Sequence, residues 1–136
     1  MNYKLLLVED DQIFTFLLKK AIKKIGLSPI TGTFINGLEA LEYLKAAYSS
    51  EENYVIFLDL NMPIMNGWEF LRRLSNIARP SNCIVFVLTS SNYQKDLHIL
   101  EENAFVLDYV TKPISESTMK GLKETIALKL EKNYKE

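Results

Sequence analysis

The sequence predicts a doubly wound α/β fold, a parallel sheet covered by helices on both faces. Three observations predict it. Short continuous apolar runs, such as K-L-L-L-V at residues 4 to 8 and C-I-V-F-V-L at residues 83 to 88, suit strands buried on both faces. Between the runs the apolar spacing becomes helical, so that five strands alternate with five helices and imply parallel βα units. At 136 residues, 48% of them hydrophobic, the chain has the length and the apolar content of one domain with one sizeable core.

The elements follow in order. The first strand ends at Glu9, and from Ile13 to Ile25 the positions Phe14, Leu17, Leu18, Ala21, Ile22 and Ile25 recur at helical spacing, with Gly26 as the stop. Residues 28 to 34 read as an edge strand, because Pro29 and Gly32 argue against a central position. Leu38, Leu41, Leu44 and Tyr48 give a second helical stripe, and S-S-E-E-N supplies a polar loop before a strand from Tyr54 to Leu58. Gly67, Phe70, Leu71, Leu74 and Ile77 form a third stripe, closed by Arg79-Pro80. After the strand from Cys83 to Leu88, T-S-S-N suits a helix start, and a fourth helix is predicted to about Asn103. A fifth short strand covers roughly Phe105 to Val110, and a last helix carries Met119, Leu122, Ile126 and Leu130 on one face before a charged tip. No repeat, low-complexity segment or interdomain linker interrupts the pattern, which reads as a single domain over residues 1–136.

Bulk chemistry excludes several functions. Sixteen basic against 17 acidic residues leave a formal net charge of −1, which steers the chain toward neither nucleic acid nor an anionic membrane. One cysteine, Cys83, makes no intramolecular disulfide, and with His98 the single histidine no zinc-type cluster exists; both fit a reducing cytoplasm. The apolar stretch at the N-terminus is too short for a signal peptide, and no stretch approaches the roughly 18 apolar residues of a membrane span. His98 reads as a surface or half-buried residue, Cys83 as a small apolar core residue, and Trp68 and Phe70 as packing.

In open parallel sheets ligands bind at the carboxyl ends of the strands. There the strands end in Glu9-Asp10-Asp11, Asp59-Leu60-Asn61, Thr89-Ser90-Ser91 and Thr111-Lys112-Pro113. Each has an ordinary explanation alone: turn chemistry, a helix cap, a solvated lysine. Together they are harder to explain so, because independent strands deliver acids, a hydroxyl and an ammonium to one edge. Paired carboxylates at roughly 4 Å repel by about 4 kcal/mol at a surface-like dielectric, so a cation has to offset them. An all-oxygen site with room for water is what Mg2+ prefers, often completed by a phosphate oxygen. A carboxylate beside a metal, a hydroxyl and an ammonium are the parts phosphoryl transfer requires.

The ordered set V-E-D-D, F-L-D-L-N-M-P, V-L-T-S and D-Y-V-T-K-P resembles the receiver domain of bacterial response regulators, over about residues 3 to 130. The resemblance implies the CheY-like, flavodoxin-like (βα)5 sandwich with strand order 2-1-3-4-5. It implies Asp59 as phosphoacceptor, with Glu9 and Asp10 as the acid pocket for Mg2+ or Mn2+. Asp10 would be the direct ligand, Glu9 would act largely through water, and the backbone carbonyl of Asn61 would add a further ligand. It further implies Thr89 as the switch hydroxyl, Tyr109 as the aromatic whose rotamer follows it, and Lys112 as the cation pairing with the phosphoryl group, ahead of Pro113 in a cis peptide. Asn66 departs from the family's usual Asp and reads as a helix cap. Leu60 and Ser91 stand where the family tunes access of water to the phosphoryl group, so the phosphorylated lifetime does not carry over.

By the same resemblance, a sensor histidine kinase or a histidine phosphotransfer protein donates the phosphoryl group, and the chain catalyses only its own phosphorylation and dephosphorylation. The switched surface would be that of the fourth helix, fifth strand and fifth helix, meeting a downstream protein target or pairing weakly with a second copy. With only a charged tip after the last helix, no output domain is expected, and the signal would leave by protein contact rather than through DNA. Three rivals fit less well. A haloacid-dehalogenase-type phosphatase resembles D-x-D at its first strand, whereas this chain has D-x-N after the third. A flavodoxin-like carrier binds phosphate after the first strand, where Glu9-Asp10-Asp11 repels it. A receiver-like module that is never phosphorylated would usually have lost an acid or the lysine, and all are present.

Overall fold

The structure, a computed structural model, describes residues 2–27, 29–90 and 101–135, with side chains as far as residue 130. The order is β1 (Lys4–Val8), α1 (Gln12–Ile25), β2 (Ile30–Phe34), α2 (Gly37–Ala47), β3 (Tyr54–Asp59), α3 (Gly67–Leu74), β4 (Cys83–Thr89), β5 (Val106–Thr111) and the C-terminal α4 (Glu116–Lys135). The helix predicted to end near Asn103 falls chiefly on residues 91–100, outside the described residues, as do Ser91 and His98. All strand pairs are parallel, in one five-stranded sheet of order β2-β1-β3-β4-β5. The strand with Pro29 at its approach and Gly32 inside it, β2, lies at an edge as predicted.

Side chains alternate across a strand, so each apolar run feeds both faces. Leu6, Val8, Ile56, Leu58, Val85 and Val87 pack with Leu41 and Leu44 of α2 and Phe70, Leu71 and Leu74 of α3. Leu5, Leu7, Val55, Phe57, Ile84, Phe86 and Leu88 pack with Leu18 and Ile22 of α1 and Met119, Leu122, Ile126 and Leu130 of α4. Burial on both sides explains why these strands read as continuous rather than alternating hydrophobicity.

The helix ends are written locally. Asp11 accepts from the backbone N–H groups of Ile13 and Phe14 at 2.9 and 3.1 Å, Asn36 accepts from Glu39 N–H, and Asn66 accepts from Glu69 N–H. Such caps contribute about 1 kcal/mol each. Gly26 closes α1 in the left-handed region, at φ 75°, where a side chain would be strained.

Several boundaries differ from expectation by a few residues. Strands β3 and β4 each run one residue further than predicted, taking in Asp59 and Thr89. Tyr48 and Ile77 lie just beyond α2 and α3 yet still pack on the core. Leu17 is a correction: it is 55% exposed, beside Ile13 at 76% and Phe16 at 56%. These three residues lie on the side of α1 opposite Leu18 and Ile22, because helical spacing in this segment supports more than one apolar face.

At the amino ends of the strands, Tyr48 Oη donates to Asn82 Oδ1 at 2.5 Å, and Asn82 Nδ2 donates to the carbonyls of Ser49 and Glu52 at 3.1 and 2.6 Å. Tyr54 Oη donates to the Ala47 carbonyl and accepts from Ser49 N–H. This end is thus closed by satisfied polar groups, and the reactive groups gather at the other. Cys83 is buried in β4, and burial pushes its thiol up to about 12, leaving it unreactive at neutral pH.

Candidate functional site

Glu9 and Asp59 continue the alternation of one sheet face. Leu5 and Leu7 lead to Glu9, Val55 and Phe57 lead to Asp59, and the buried Val110 lies two residues before Lys112. Parallel pairing sets Val8 opposite Leu58, so the next residues, Glu9 and Asp59, arrive side by side. The site is the outermost layer of the core formed with α1 and α4, written in polar residues.

Glu9, Asp10 and Asp59 each offer a carboxylate oxygen, and these atoms lie within 4.8 Å of one another. Glu9 is 2% exposed and Asp59 6%, whereas Asp10 is exposed. Asp11, the third acid of the first strand end, is used as the cap of α1. The Lys112 ammonium contacts Glu9 Oε1 and lies 3.6 Å from Asp59 Oδ1. Desolvation raises the Glu9 carboxyl to about 8, and the hydrogen bond and charge of Asp59 push the same way, while Lys112 opposes them. Glu9 Oε2 is buried with no hydrogen-bond partner. An all-oxygen donor set, surplus negative charge and an orphaned buried oxygen fit a hard divalent cation.

The loop after Asp59 is held tightly. Asn61 N–H donates to Asp59 Oδ1 at 3.4 Å, and Gly67 N–H donates to the Leu60 carbonyl at 3.0 Å. A Cβ at Gly67 would lie 2.5 Å from the Asp59 carbonyl oxygen, so the close return of the chain admits glycine alone. Thr89, buried at the end of β4, donates its hydroxyl to the Ser90 carbonyl at 2.7 Å, a bond the sequence did not suggest. Lys112 N–H donates to the Thr89 carbonyl at 2.8 Å, and the Lys112–Pro113 peptide is cis. Tyr109 lies on the edge strand β5 at 38% exposure. One neighbour escaped the sequence reading. Lys112 Nζ sits 4.5 Å from the centroid of the Phe14 ring, which the helical stripe had marked only as core.

Comparison with known proteins identifies the family and its fold. The family model for the response regulator receiver domain matches residues 5–123, and the chain belongs to that family. Receiver domains of this family are the phosphoacceptors of two-component signalling. The chain is 30% identical over 124 residues to the probable methanogenesis regulatory protein FilR2 of Methanothrix harundinacea, covering 90% of this chain and 79% of that one. It is 31% identical over 121 residues to the transcriptional regulatory protein YpdB of Escherichia coli K12, covering 88% of this chain but 45% of that regulator. Among solved structures, a two component response regulator from Cytophaga hutchinsonii superposes with a TM-score of 0.80 at 29% identity, covering 91% of this chain and 96% of that one.

Proposed function

We propose that Asp59 is the phosphoacceptor of a two-component or phosphorelay switch. The observation that carries this reading is the Lys112 ammonium shared between Glu9 and Asp59 at a rim where three carboxylates converge. A carboxylate oxygen of Asp59 attacks the phosphorus of a phosphohistidine on a sensor kinase or histidine phosphotransfer protein. The P–N bond breaks, the imidazole leaves, and an acyl phosphate remains on Asp59. Later attack by water releases phosphate and restores the carboxylate, so the chain acts only on its own acceptor. Lys112 pairs with the phosphoryl oxygens in place of its present carboxylate partners. Glu9, Asp10, Asp59 and the Asn61 carbonyl are the groups that would hold Mg2+ or Mn2+, which supplies charge neutralisation for the transferring group when bound.

An acyl phosphate adds about two negative charges and strong acceptors. Thr89 then gives up its bond to the Ser90 carbonyl to donate to the phosphoryl group, and Tyr109 moves from its exposed position into the space vacated. The surface around β5 and α4, with the helix predicted before β5, changes its contacts with a protein target by shifting a pre-existing equilibrium. No described helix is long and apolar enough to cross a membrane, and the reading places the chain in the cytoplasm with its phosphodonor. Intact mass after incubation with Mg2+ and acetyl phosphate, run beside Asp59→Asn, tests it. One added phosphoryl group on the parent and none on Asp59→Asn is expected; an unlabelled parent, or equal labelling of both, overturns it.

A further inference from the structure

Lys112 is the one described cation at the carboxylate rim, and its position decides what can be done there. A lysine stem has four rotatable carbons and a strongly hydrated tip, so left to itself the ammonium samples many positions. Here three groups restrict it: the Glu9 carboxylate in contact, Asp59 Oδ1 at 3.6 Å, and the face of the Phe14 ring at 4.5 Å from centroid to Nζ. The two carboxylates have to be exchanged for phosphoryl oxygens when Asp59 is modified. The ring carries no net charge, takes no part in that exchange and attracts a cation through its quadrupole in either state. Its place is fixed from behind. Phe14 packs half-buried on the core shared by α1 and α4, and its N–H is held by the Asp11 cap at 3.1 Å.

We infer that Phe14 is a positioning residue for phosphoryl transfer, keeping the Lys112 ammonium over Asp59 while its carboxylate partners are replaced. The inference rests on the reading of Asp59 as phosphoacceptor. It differs from a packing role in one measurable respect, the dependence on the electron density of the ring face rather than on its volume.

The test is the rate of labelling of Asp59 by acetyl phosphate with saturating Mg2+, in Phe14→Leu, in Phe14→Tyr and in a protein with 3,4,5-trifluorophenylalanine incorporated at position 14. Fluorination keeps the ring's shape and drains its face, so the fold survives even if Phe14→Leu does not. The limiting rate is expected to fall about two- to fivefold with the fluorinated ring, the range a partly exposed cation–π contact supports. The half-saturating acetyl phosphate concentration should hold steady, Phe14→Tyr should keep most of the rate, and the fluorinated protein should melt with the parent. A fluorinated protein that labels at the parent rate overturns the role of Phe14 while leaving Asp59 as acceptor. Rates that follow thermal stability across the series, whatever the ring electronics, overturn it too. An unlabelled parent overturns both readings.

Discussion

Metal-free protein is expected to lose stability as the pH rises through neutrality, and Glu9 sets both the direction and the size. Its carboxyl stands at about 8 in the folded chain against 4.5 when unfolded, chiefly because the side chain is buried. Below the unfolded value both states carry the proton, and the contribution is fully present. Between the two values only the folded state holds it, so each pH unit favours unfolding by up to about 1.4 kcal/mol, and above about 8 the loss is complete. From about pH 5.5 to about pH 7.5 the decrease therefore approaches about 3 kcal/mol. With a urea slope of roughly 1–3 kcal/mol/M, the denaturation midpoint moves down by about 1 M or more. The assay is urea unfolding in EDTA across this range for the parent and Glu9→Gln, which has no proton to lose. Saturating Mg2+ should reverse the trend, since bound metal favours the ionised carboxylates. A parent midpoint that is flat or rises with pH in EDTA, or an equal decline in Glu9→Gln, would refute the reasoning.

Other substitutions probe neighbouring parts. Gly67→Ala should destabilise by about 2 kcal/mol or more in chemical denaturation, because a clash 2.5 Å from the Asp59 carbonyl outweighs the helix propensity gained. Leu18→Ala should cost about 2–5 kcal/mol while Leu17→Ala costs under about 0.5, a comparison by thermal unfolding that separates the buried and exposed faces of α1. Lys112→Met should destabilise the chain most at alkaline pH, by about 3–5 kcal/mol in urea unfolding where Glu9 is ionised, and slow labelling of Asp59 at every pH.

The centre of the sheet was legible because β1, β3 and β4 are buried on both sides, so each announces itself as an unbroken apolar run whose end is marked by the first polar residue. That same mark located Glu9, Asp59 and Thr89, whereas the edge strands β2 and β5, partly exposed, announce themselves less clearly. Asn66 was legible as a cap because capping needs only a short polar side chain three residues before a free N–H, and Glu69 N–H is that partner. Leu17 was misread because eight apolar residues within Ile13 to Ile25 cannot all face one side of a helix, and nothing local says which turn outward. The Thr89 hydroxyl bond to Ser90 depends on a rotamer, which periodicity does not encode. The Phe14–Lys112 contact joins residues far apart in the chain, brought together at the edge of the core that α1 and Val110 share, and only the assembled fold reveals it.

Because Glu9 and Asp59 sit on one face by alternation, the length of each strand carries information its composition does not. Exchanging one β-branched core residue for another of like volume would leave the acids where they are. Inserting a single residue within β3 would not: the count to Asp59 would change from odd to even, and the carboxylate would be turned toward α2 and α3, away from Glu9 and Lys112. The site thus behaves like a reading frame, indifferent to many substitutions upstream and intolerant of one extra letter.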